Sequence, residues 1–66
     1  SEVVKISDLK EGDWVVYRPH PDAQAEDGVV QRVTERYAFV LYKGDLHPKA
    51  TDSQYLEFGC PAAHER

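Results

Sequence analysis

The sequence predicts an all-β fold, a small five-stranded barrel with one 3₁₀ turn before the last strand. Three observations carry this expectation. Residues 28 to 43 read GVVQRVTERYAFVLYK, two runs rich in β-branched and aromatic residues joined by Thr34-Glu35-Arg36, a length suited to a hairpin. Residues 13 to 18, DWVVYR, form a third such run, bounded by Gly12 and Pro19. Two shorter runs follow, Lys49-Ala50-Thr51 and Leu56-Glu57-Phe58, with Asp52 between them placed to cap a single 3₁₀ turn.

Taken in order, Val3, Val4 and Ile6 form an apolar lead-in expected to pack on the barrel. Ser7 to Asp13 is a turn in which Gly12 takes a positive φ and Leu9 points inward. The 13–18 strand offers two alternating sets, Trp14 with Val16 and Val15 with Tyr17, both apolar, so one of them needs covering. Pro19 and Pro21 end the strand, because proline donates nothing to a ladder. Pro19 to Asp27, PHPDAQAED, reads as a mobile surface loop of the kind that often carries function.

The spacing Gly28, Val30, Val33 breaks strict alternation and predicts a bulge or bend in the second strand. In the third strand Ala38, Val40 and Tyr42 are the compact set and are placed inside, which puts Tyr37, Phe39 and Leu41 on the outer face. Gly44-Asp45 is a turn, extended by Leu46-His47-Pro48. Residues 59 to 66, GCPAAHER, have too little apolar content to pack and are expected to be a frayed tail after a single domain at 1–58.

Sixty-six residues bury a small core, so Trp14, Phe39 and the four tyrosines are expected to be mostly core, and Trp14→Ala is expected to unfold the domain. The lone cysteine, Cys60, leaves no internal disulfide and suits a reducing, cytoplasmic setting. No apolar run is long enough to span a bilayer, so a soluble chain with no membrane partner is expected. A net charge of −4, from 12 acidic and 8 basic residues, disfavours a nucleic-acid partner whose affinity comes from phosphate neutralisation.

Three local patterns then resemble SH3-like barrels of the Tudor and KOW kind: Gly12-Asp13-Trp14-Val15-Val16, Gly28-Val29-Val30-Gln31-Arg32-Val33, and Phe39 to Asp45 leading to Tyr55-Leu56. The layout GVV, RYxFVxY and ATD is also similar to small bacteriophage and prophage proteins. Gly12 to Tyr17 resembles the opening of the Tudor-like domain of bacterial transcription factors that bind RNA polymerase, although Arg18-Pro19 and the long loop replace that family's tight continuation. Two strands apolar on both faces, more than a barrel of this size can hide, point to a binding module rather than an enzyme. The Tudor resemblance implies a cage for a methylated cation, which Trp14, Tyr17, Tyr37, Phe39 and Tyr42 could build with Asp45 as its carboxylate.

The expected function is therefore non-catalytic binding of a protein partner by a monomer or weak homodimer. The residues expected to carry it are Tyr37, Phe39 and Leu41 of the outer strand face, Tyr17, Arg18 and His20 at and in the loop, and the cations Arg32, Arg36 and Lys43. Association with nucleic acid or a transcription complex through Arg32, Arg36, Lys43 and Lys49 is the alternative. No cofactor is expected, and no metal, since His20, His47, His64 and Cys60 form no close-spaced ligand pair.

Overall fold

The computed structural model describes residues 4–59, and among these every regular element except two single 3₁₀ turns is a strand. The strands are β1 (Trp14–Tyr17), β2 (Glu26–Val33), β3 (Ala38–Tyr42), β4 (Lys49–Thr51) and β5 (Leu56–Phe58), with the 3₁₀ turns at Ile6–Asp8 and Ser53–Tyr55. They form one antiparallel sheet in the order β4-β3-β2-β1-β5. Of the tail expected at 59–66, Gly59 is held to the sheet, its amide donating to the Trp14 carbonyl at 2.9 Å, while residues 60–66, like Val3, lie outside the described residues.

Barrel closure is not made, because β4 and β5 are the two edges of an open sheet. The sheet is nevertheless curled. Only Asp52 to Tyr55 separate the end of β4 from the start of β5, and five extended steps reach at most about 17 Å. The core is completed by the segment that precedes β1. Val4 and Leu9, 7% and 6% exposed, pack with Val15, Val30, Ala38, Val40, Tyr42 and Leu56.

Alternation along β3 places Ala38, Val40 and Tyr42 inside, and Phe39 and Leu41 half-buried outside. The irregularity expected in β2 is present. Val30 pairs with Val40 but Arg32 pairs with Phe39, so Gln31 is the extra residue, and Val33 regains the inner face opposite Ala38. The hairpin turn is held by Thr34, whose Oγ1 accepts from the Tyr37 amide at 3.1 Å while its own amide donates to the Tyr37 carbonyl at 2.9 Å. Gly12 and Gly44 take φ of +93° and +90°, where a side chain would be strained.

Three expectations are corrected. Trp14 is 39% exposed and not core, since Val15 takes the inner position of β1 and the alternation sends Trp14 and Val16 outward. The aromatics as a group are not core either: Tyr42 alone among the described ones is buried, and Tyr37, Tyr55 and Phe58 are exposed. The loop is also shorter than expected. Glu26 and Asp27 belong to β2, where they pair with Tyr17 and Val16, leaving residues 18 to 25 as the connection.

Candidate binding cleft

The curl of the sheet brings three strands and the β4–β5 connection together at one corner. Tyr17 ends β1, Glu26 begins β2 opposite it, Tyr42 ends β3, and the β4–β5 connection supplies Asp52 and Tyr55. With Tyr37 and the β4 residues Lys49, Ala50 and Thr51, they line an open cleft of about 450 Å³. That volume lies within the range of ligand pockets, roughly 300 to 1,000 Å³.

Tyr17 is the shared wall. Its ring centroid is 5.9 Å from that of Tyr42 at an interplanar angle of 59°, and 6.3 Å from that of Tyr55 at 83°. Such tilted and edge-on contacts suit the ring quadrupole and fix neighbouring rings in different planes. The Tyr42 hydroxyl lies 2.7 Å from Thr51 Oγ1 in a buried bond that crosses from β3 to β4. Tyr55 is tied through its backbone, its carbonyl accepting from the Arg18 amide at 2.9 Å.

The charge at this corner is mainly negative. Glu26 and Asp52 contribute carboxylates to the lining. Asp52 caps the Ser53–Tyr55 turn, its Oδ1 accepting from the Gln54 amide and its Oδ2 from Gln54 Nε2, each at 3.1 Å. The Lys49 ammonium is 3.3 Å from Asp45 Oδ2, so its charge is offset at the rim. Burial raises the pKa of the Tyr42 hydroxyl above its ordinary value. The Thr51 hydrogen bond opposes the rise, while Tyr17, Glu26 and Asp45 add to it. Burial disfavours charge of either sign, so within this shift only the carboxylates of Glu26 and Asp45 act in a cation's favour.

The residues expected to bind do not share one site. Tyr17 and Tyr37 are in the cleft, and Arg18 and His20 belong to the loop that starts beside it. Arg18 is turned to Glu57, with Nε 3.7 Å from the carboxylate. Phe39, Leu41, Arg32 and Lys43 belong to the opposite face, where the Arg32 guanidinium lies 4.5 Å from the Phe39 ring centroid. Arg36 is in the hairpin turn. The four cations Arg32, Arg36, Lys43 and Lys49 therefore form no single basic surface.

The residues expected to form a cage are divided between the two faces. Tyr17, Tyr37 and Tyr42 line the cleft, but Trp14 and Phe39 are on the other face, and Asp45 holds Lys49. Tyr55, Glu26 and Asp52 are the further aromatic and acidic residues of the cleft lining. Sequence reading missed them because Tyr55 and Asp52 look like parts of a turn and Glu26 like part of a loop, and only the register of β1 with β2 brings Glu26 opposite Tyr17.

Among the described residues no three of His, Cys, Asp and Glu are grouped to hold a metal ion, and no helix is long and apolar enough to cross a membrane. Compared with known proteins, the chain matches no family model, no curated protein and no solved structure.

Proposed function

We propose that this chain is a non-catalytic protein-interaction module of SH3-like, Tudor/KOW-like architecture, of phage or bacterial origin, that takes a cationic side chain of its protein partner into the tyrosine cleft. The architecture is supported by a long β2 shared between β1 and β3 and bent at Gln31, by the 3₁₀ turn, and by the return of β5 beside β1. The origin rests on the motif likeness alone. The observation that carries the function is the convergence of four tyrosines with Glu26 and Asp52 on one cleft. Aromatic faces attract ammonium and guanidinium groups by about 0.5 to 2 kcal/mol, and nearby carboxylates add to that attraction. Binding is proposed over chemistry because the cleft's polar groups are tied in structural pairs, Tyr42 with Thr51, Asp52 with Gln54 and Lys49 with Asp45. The 18–25 loop connects two of the lining residues, Tyr17 and Glu26, and on this reading it contacts the partner's backbone beside the captured side chain.

The test is calorimetric titration with short peptides identical except for a central trimethyl-lysine, lysine, arginine or norleucine. The cationic peptides are expected to bind and norleucine to fail. Tyr55→Ala and Glu26→Gln should each weaken binding by roughly 3- to 30-fold, the range that follows from one cation–π or charge contact. Equal binding of norleucine and the cations would sink this reading.

A further inference from the structure

The face opposite the cleft carries a row that crosses three strands. Trp14, Val29 and Leu41 are paired in register and line an apolar groove of about 280 Å³. On one side of the row stand Asp27 of β2 and Lys43, which is adjacent to it through an amide-to-carbonyl bond of 3.0 Å. On the other side stand Arg32 of β2 and Phe39 of β3, paired and stacked. The bulge at Gln31 is what returns Arg32 to this face, since without it alternation from Val29 would place residue 31 here instead.

From this pattern we infer that the outer face is an interface for a second copy of the chain. A two-fold axis lying along the Trp14–Val29–Leu41 row sets each row on its copy and exchanges the two sides. Asp27 of each protomer then meets Arg32 of the other along β2, and Lys43 of each meets the Phe39 ring of the other along β3. A charge pattern complementary to itself about an apolar centre is what an isologous, closed dimer requires, whereas an unrelated partner needs no such symmetry. Sheets packed face to face are about 10 Å apart, a gap that the long Arg32 and Lys43 side chains can bridge.

Sedimentation equilibrium of the whole chain from about 10 μM to about 1 mM tests this, a span that brackets a weak dimer. The wild type is expected to pass from monomer to dimer. Arg32→Asp should weaken the dimer by about tenfold or more, and Asp27→Lys added to Arg32→Asp should restore it. Lys43→Glu and Leu41→Lys are second variants should Arg32→Asp fail to melt cooperatively. Tyr55→Ala, on the other face, should leave the dimer unchanged whether or not the cleft binds cations. A chain that stays monomeric throughout, a dimer indifferent to Arg32→Asp and Leu41→Lys, or a double reversal that restores nothing would overturn the inference. Capture of a different protein on this face by a monomeric chain would do the same.

Discussion

Gly28 shows how closely the inner face beside the cleft is packed. It stands on the inner face between Val15 and Tyr42, and a Cβ built there would lie 2.5 Å from Val40 Cγ1 and 2.9 Å from Tyr42 Cδ1. Both atoms belong to buried side chains that have little room to retreat. Gly28→Ala should therefore destabilise the fold by about 1 to 3 kcal/mol, the usual cost of overpacking, as read from denaturant midpoints at constant slope. Tyr42 gives a second prediction at this scale. Its hydroxyl, raised first by burial, stays protonated in the fold at a pH where the unfolded chain ionises. That contribution is fully present below the ordinary tyrosine value of about 10 and is lost as pH rises through the higher folded value. Thermal melts above pH 10 should fall more steeply for the wild type than for Tyr42→Phe, which has no proton to lose at that position.

At the scale of the element, alternation was the most readable signal. The inner set Ala38, Val40, Tyr42 and the bulge implied by Gly28, Val30, Val33 follow from spacing alone, because one face of each strand must be buried and a slip by one residue would invert it. Asp52 as the cap of the 3₁₀ turn was equally legible, since its chemistry is local. β1 was not, because Trp14-Val16 and Val15-Tyr17 are both apolar, and size favoured the wrong set. The start of β2 was missed because Glu26 and Asp27 are strand-paired acids, and their place comes from the partner strand and not from their own propensity. β3 provides the matching prediction. Val40→Ser puts a hydroxyl at a position with no exposure and should unfold the chain or cost several kcal/mol, while Leu41→Ser on the half-buried outer face should keep a cooperative melt. Circular dichroism melts of the two variants compare them directly, and the reverse order would invert the register.

For the whole molecule, the open sheet divides its aromatics between two faces instead of gathering them on a single surface. Its concave corner gathers tyrosines and carboxylates where β1, β2, β3 and the β4–β5 connection meet, and its outer face carries the apolar row. The sequence announced the aromatics but distributed them wrongly, because the division between faces depends on long-range pairing that no local pattern contains. The most direct measurement of the central claim is a proton NMR titration of the chain with tetramethylammonium, with neopentyl alcohol as a neutral ligand of similar shape and sodium chloride as the salt control. Tyrosine ring protons of Tyr17, Tyr42 and Tyr55 should shift in a saturable way with the ammonium ion and only weakly with the alcohol, and Glu26→Gln should weaken the response. Equal shifts with the alcohol, or ammonium shifts centred on Trp14 and Phe39 and absent from the three tyrosines, would contradict it.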